Sequence, residues 1–253
     1  MAYPDPRVLV CVLGHELAPL IAAARSFRSD IELAVDEEYS SDEADDRMTD
    51  SFGVCWDTVT PGAYSDADEE AVEDHGAVMY VISPPLAQPV TLDGSIAAVL
   101  LVDHLIEHGA TAAKIESSGV AHGIARWRAL AAEIRRLHGG RDRVALARTV
   151  RAAVTKRPLG GDKFYESLGH HLIGIPEVYV PLANASDRES VRIMDSIADE
   201  LVADGTDPVV RRHAARLDPK SPYEGGFAFK INPYGIVKLP VRPPAITPSR
   251  AGL

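Results

Sequence analysis

Cysteine is almost missing from this 253-residue chain, and aromatic residues make up only 6% of it. Two cysteines, Cys11 and Cys55, cannot build a disulfide scaffold or a Cys-based zinc module, and they suit a reducing cytoplasm. Long apolar runs are also absent. The longest, Ile96 to Val102, is far short of the ~20 residues a membrane-spanning helix needs. The N-terminus lacks a basic segment followed by an apolar stretch, so no secretory signal is expected. No G-x-x-x-x-G-K-[ST], G-x-G-x-x-G or G-x-S-x-G string occurs, which leaves nucleotide binding and a serine-hydrolase elbow without support. Aromatic residues do not interleave with basic ones, so a single-strand nucleic-acid platform is not expected either.

What is present is an ordinary soluble composition, with 46% hydrophobic and 25% charged residues, and a net charge of -11. That charge is segregated. Residues 30–74 hold 17 Asp or Glu against one basic residue, Arg47. Residues 135–157 hold eight Lys or Arg against one acid, Asp142. Both blocks are interleaved with apolar residues, so both belong to folded structure. Arg148 and Arg151 lie one helical turn apart and are placed to meet an anion or the acidic block itself.

Periodicity gives the organisation. Arg7 to Leu13 reads as a buried strand, Glu16 to Arg28 as an amphipathic helix, and Ile31, Leu33 and Val35 as a half-buried strand. A polar loop follows over 37–51, then a strand-like run from Phe52 to Trp56. Val78 to Ile82 is a strand, and Asp93 caps a helix over 95–108 that Gly109 stops. Ala113 to Glu116 is a strand, and a Ser-Ser-Gly loop leads into a helix over 122–137. The basic helix follows. Ile175 to Leu182 is a strand, Ser186 or Asp187 caps a helix through Leu201, and Phe227–Ile231 with Ile236–Leu239 forms a hairpin. The last residues, from Pro240, are proline-rich and aperiodic, a tail. The expected fold class is α+β: strand-helix-strand units with sheets covered by helices, plus a C-terminal antiparallel hairpin. The expected divisions are an N-terminal αβ unit with its acidic loop over 1–75, a main domain over 76–240 and a flexible tail over 241–253.

Three strings could carry chemistry. His104-Leu105-Ile106-Glu107-His108 matches the H-x-x-E-H pattern of inverted zinc peptidases, whose histidines share one helical face. Such a site needs a third ligand from a downstream helix, for which Glu189 and Glu200 are available. Its place on a terminal helical turn gives it an equally simple dipole-compensating role, so no metal and no cofactor is assigned. Glu116-Ser117-Ser118-Gly119-Val120-Ala121-His122-Gly123 leads into a helix N-terminus, where free N–H groups could bind an anion. Ser118 and His122 can also be read there as nucleophile and base. Gly169-His170-His171 to Pro176-Glu177 offers histidines that titrate near neutrality. On an extended segment the two would point to opposite sides, and a pocket-facing Glu177 would have a raised pKa.

Part of the chain resembles a bacterial family of uncharacterised proteins, the domain of unknown function 4261 type. The residues carrying the likeness are Val78-Met79-Tyr80-Val81-Ile82, the helix from Ala97 to Ile106, Ala113-Lys114-Ile115-Glu116, Gly119-Val120 and His122, and then Gly169 with Ile173-Gly174-Ile175-Pro176-Glu177-Val178-Tyr179-Val180. The resemblance implies a compact cytoplasmic α+β protein with no assigned catalytic residue.

Two functional readings follow. The first, slightly favoured, is a small-molecule enzyme or ligand-binding protein with Glu116, His122, His170 and Glu177 as acid–base groups and Ser118, Arg148 and Arg151 holding an anionic substrate. It requires a pocket lined by at least one of the four acid–base residues. The second is a non-catalytic module, of an immunity or regulatory type, that binds a basic protein through the acidic block. Neither reading involves nucleic acid or a membrane.

Overall fold

The strand-helix-strand grammar is realised in a computed structural model that describes residues 5–219 and 230–241. The first half contains β1 (Leu9–Gly14), α1 (Leu17–Ser26), β2 (Ala34–Ser41), α2 (Arg47–Gly53), α3 (Asp66–Glu73), β3 (Ala77–Ile82), α4 (Thr91–Glu107), β4 (Ala110–Ile115) and β5 (Val120–His122). The second half contains α5 (Ile124–Leu137), α6 (Arg143–Val154), β6 (Lys156–Gly160), β7 (Phe164–Leu168), β8 (Glu177–Pro181), α7 (Asp187–Asp204), α8 (Thr206–Arg212), β9 (Arg216–Asp218) and β10 (Ile236–Lys238). A 3-10 turn, His170–Ile173, separates β7 from β8. The fold is α+β, with two mostly antiparallel five-stranded sheets.

The first sheet has the order β2-β3-β1-β4-β5 and is antiparallel throughout. Two β-α-β units, β1-α1-β2 and β3-α4-β4, interleave to make it, which is the split β-α-β arrangement. Side chains alternate between its faces. Val10, Val12, Met79, Val81, Ala113 and Ile115 share a core with α1, α4, α5 and α6. Cys11, Leu13, Val78, Ala112 and Ala121 face the other way and pack on Met48, Phe52, Trp56 and Val72. Because β3 lies between β2 and β1, residues on both sides of the expected boundary at 75 share this sheet.

The second sheet has the order β6-β7-β8-β10-β9, with β8 and β10 parallel. Val178, Val180 and Val237 from it join Val10 and Val12 in one apolar cluster, through Leu101, Leu105, Val150 and Met194 of the intervening helices. Each fully buried Leu or Val contributes about 1.5–3 kcal/mol to that cluster. Sequence-local signals place the long helices. Ser186 and Glu189 form a reciprocal capping box for α7, and the Asp142 carboxylate accepts from Ala145 N–H at 2.9 Å to start α6.

Several local expectations are corrected. Of the strand-like Phe52 to Trp56 run, Phe52 and Gly53 instead end α2, because the buried Phe52 and Met48 lie on one helical face against the sheet, while Trp56 makes a single parallel bridge to Ala121 of β5. Asp93 lies inside the first turn of α4, whose N-cap is Val90. β2 begins at Ala34, so Ile31 and Leu33 precede it. Of the C-terminal hairpin, Ile236–Lys238 is a strand paired with β8 and β9, while 227–229 lie outside the described residues, as does nearly all of the tail.

Candidate functional site

Ser117-Ser118-Gly119 does not enter a helix; it is the turn between β4 and β5, and His122 is the last residue of β5. The helix N-terminus expected to bind an anion begins two residues later, at Ile124 of α5, and is already occupied. Asp68 of α3 accepts from Ile124 N–H at 3.0 Å through Oδ1, and from Ser65 N–H and O–H at 2.9 and 2.7 Å through Oδ2. Gly123 makes this possible, because a Cβ there would overlap the Asp68 carboxylate. The protein thus supplies its own anion to the α5 dipole.

His122 pairs with Ala113 and faces the central helices, whereas Glu116 belongs with the opposite face. Glu116 lies 2.9 Å from the buried Lys114 ammonium, which also donates to Ser51 and sits over the Phe52 ring. The sheet therefore separates Glu116 from His122. His122 is buried, donates from Nε2 to the Ala153 carbonyl at 3.2 Å, and packs edge-on against Trp127. Burial pulls its pKa down to about 4, with Asp57, whose carboxylate lies 3.6 Å away, partly opposing. Among the described residues, its Nδ1 and the Ser118 hydroxyl make no hydrogen bond.

His170, His171 and Glu177 do come together, contrary to the expectation for an extended segment. Gly169, at φ 116°, reverses the chain in a conformation that favours glycine, and the following 3-10 turn directs both imidazoles toward Glu177. Glu177 Oε1 accepts from Gly169 N–H at 3.1 Å, Asn232 Nδ2 at 3.1 Å and His171 Nδ1 at 3.3 Å. Oε2 accepts from the Ser167 hydroxyl at 2.6 Å, and Ser167 in turn accepts from Val178 N–H. Burial alone would raise the Glu177 pKa; the His171 hydrogen bond, the charges of both histidines and Ser167 overcome it and bring it to about 2. The expected raised carboxyl is corrected to a strongly ionised one. His170 donates from Nδ1 to the Pro176 carbonyl at 3.1 Å, and burial lowers its pKa to about 4. Among the described residues, no hydrogen bond or ring contact joins His170 to His122.

The basic helix finds its anions inside the protein. Arg148 and Arg151 both bind Asp199 of α7, at 2.6 and 2.8 Å, and Arg157 binds Asp195 at 2.7 Å. Arg151 is 1% exposed and spans both carboxylates. Its partners are Asp195 and Asp199, not the N-terminal acidic block. These two aspartates stand one turn apart on α7, the same spacing as the two arginines within one position. That complementarity is the signal the sequence offered for a pairing left unread. Ser167 and Asn232, which hold Glu177, carry no comparable signal.

Four surface clefts of about 250–690 Å³ are lined by other residues than Glu116, His122, His170 or Glu177. The largest, about 690 Å³, opens between α2 and α3. The buried Phe52, Trp56 and Val72 form its floor, and Val54, Asp50, Glu69 and Glu73 line it at the surface. Val54 is 75% exposed, and the Trp56 ring is stacked on Tyr64 with centroids 4.7 Å apart. At the end of α4, His104, Glu107 and His108 form a separate group whose ligating atoms lie within 4.8 Å of one another. The downstream ligand of a zinc peptidase is not supplied: Glu189 caps α7, and Glu200 is bound by Arg212 and His213. Among the described residues, no helix is long and apolar enough to cross a membrane.

Comparison with protein-family models, with curated proteins and with solved structures gives no match.

Proposed function

We propose that the protein is a non-catalytic binding module that takes a basic segment of a partner protein in the cleft between α2 and α3. The observation that carries this reading is the composition of that cleft: the exposed apolar Val54 beside the carboxylates of Asp50, Glu69 and Glu73, with no Lys or Arg among the lining residues. Such a cleft suits a lysine or arginine side chain, whose methylenes pack on Val54 while its cation meets the carboxylates. Around it Glu43, Asp46, Glu70 and Asp74 are exposed and, among the described residues, make no ion pair. Their field steers a basic partner and raises its association rate.

The enzyme reading is not favoured, since His122, His170 and Glu177 are buried, Glu116 is ion-paired with Lys114 on the other face of the sheet, and the two arginines are bound to Asp199 of α7. A cytoplasmic location belongs to this proposal and is supported by the buried free thiols of Cys11 and Cys55. Membership of the bacterial family named above is part of the same proposal.

The test is fluorescence anisotropy with a Lys/Arg-rich peptide and a Glu-rich peptide of equal length. The basic peptide is expected to bind, with affinity fading between about 50 and 500 mM salt, and Asp50→Lys/Glu69→Lys is expected to abolish binding. Equal binding of the acidic peptide, or unchanged binding by the charge-reversed variant, overturns the reading.

A further inference from the structure

We infer that the last turn of α4 is a binding site for an imidazole-preferring divalent transition-metal cation, of the Zn²⁺ and Ni²⁺ class, held by His104, Glu107 and His108. The proximity of their ligating atoms follows from the spacing i, i+3, i+4, which puts all three side chains on one helical face. Proximity alone would be a weak argument, but the hydrogen bonds of the two imidazoles add a second.

His104 Nε2 lies 3.2 Å from the Ala23 carbonyl on α1 and 3.2 Å from the Ser26 hydroxyl. A carbonyl only accepts, so the His104 proton sits on Nε2 and Nδ1 keeps its lone pair. His108 Nδ1 lies 2.7 Å from the His104 carbonyl, so its proton sits on Nδ1 and Nε2 keeps its lone pair. Each ring thus uses its N–H on a backbone carbonyl and leaves the other nitrogen free to ligate. Outer partners of this kind fix tautomer and ring orientation in metal-binding histidines. Packing holds the rings as well: the two imidazole centroids are 4.3 Å apart, and Phe27 lies 5.7 Å from His104.

The donor set decides the class of ion. Two imidazole nitrogens and one carboxylate suit Zn²⁺, Ni²⁺ or Cu²⁺, whereas Mg²⁺ and Ca²⁺ prefer all-oxygen shells. Glu107 and His108 are exposed, so water can complete a tetrahedral sphere. The helix C-terminus places its partial negative charge beside the ion. The missing downstream ligand removes the peptidase reading and leaves a three-ligand site open to solvent. This inference is independent of the basic-partner reading, which concerns the opposite face of the first sheet.

The experiment uses the full chain, freed of tags and treated with chelator, titrated calorimetrically with ZnCl₂, NiCl₂ and MgCl₂. One equivalent of Zn²⁺ is expected to bind with a dissociation constant of about 1–100 μM, with no response to Mg²⁺. His104→Ala and His108→Ala are each expected to weaken Zn²⁺ binding at least about tenfold. His138→Ala, at an exposed histidine elsewhere, should leave it unchanged. Imidazole ¹⁵N spectra give a readout that needs no variant: His104 as the Nε2–H tautomer, His108 as the Nδ1–H tautomer, and these two perturbed first by Zn²⁺. No saturable binding below about 1 mM, or wild-type affinity in a folded His104→Ala/His108→Ala double variant, overturns the site.

Discussion

His171 Nδ1 lies 3.3 Å from Glu177 Oε1, six positions along the chain and inside a region from which solvent is excluded. The pair closes a loop in which Gly169 turns the backbone, the 3-10 turn aims the imidazole and β8 begins on the carboxylate it meets. Glu177 also ties in Ser167 of β7 and Asn232 ahead of β10, so a single ionised side chain joins three segments of the second sheet.

Glu177→Gln is therefore expected to be strongly destabilising, by about 3–5 kcal/mol, because it removes the charge that several buried donors face. The amide NH2 would also meet the Gly169 and Asn232 N–H groups, which only donate. Urea unfolding should show a lower midpoint at an unchanged slope. Asn232→Ala removes one donor of several and should cost less, about 1–2 kcal/mol. Equal costs for the two would show that Glu177 is not the hub.

Stability should fall in acid in two steps. His122 and His170 stay neutral in the fold down to about 4, whereas their ordinary value is 6.5. Between those values the unfolded chain binds more protons, so stability drops as pH falls from about 6.5 to about 4 and the loss is complete below. Glu177, at about 2 against an ordinary 4.5, adds a second loss as pH falls from about 4.5 to about 2. Each histidine contributes on the order of 1–3 kcal/mol. Urea midpoints measured from pH 8 to pH 4 check the first step, and His170→Gln should flatten it. A flat profile down to pH 4.5 would contradict buried neutral histidines.

Arg151 and Arg148 should behave differently although both bind Asp199. The Arg151 side chain is 1% exposed and spans two carboxylates, while Arg148 is 60% exposed. Arg151→Ala is expected to cost about 3–5 kcal/mol, and Arg151→Lys should restore little, because an ammonium cannot bridge Asp195 and Asp199 as the guanidinium fork does. Arg148→Ala should cost no more than about 1 kcal/mol. Thermal melts of the three variants check this. A neutral Arg151→Ala would return the arginine to the role of a free anion anchor.

These contrasts show what was legible. The helices α4, α6 and α7 and the strands β1, β3 and β8 announce themselves, since their apolar spacing, capping residues and stop signals are local. The α+β class follows from their alternation. The site is another matter. That Arg151 meets Asp195, that Asp68 caps a helix 56 residues away and that Glu116 and His122 lie on opposite faces are facts of tertiary packing. The Phe52 to Trp56 run was misread because a short apolar stretch has no period long enough to separate strand from helix. His170 and His171 were misread because a glycine with positive φ turns the chain where an extended segment was assumed. The acidic block, by contrast, was visible from the start; only its apolar floor needed the fold.

The contact between Gly123 and Asp68 gives the sharpest test of how the acidic segment is fastened to the rest. Asp68 caps both its own helix, α3, and the start of α5, and it reaches α5 only because residue 123 has no side chain. Gly123→Ala should push the carboxylate away and cost about 1–2 kcal/mol, the usual worth of a lost cap. Asp68→Ala should cost a similar amount by removing the same bonds. If the two act through one contact, their effects cannot add: the double variant should be less destabilised than the sum by at least about 0.5 kcal/mol. Additive costs would mean that alanine at 123 is felt elsewhere. Hydrogen exchange gives the location, since Ile124 N–H should lose protection in either variant while α6 keeps its own.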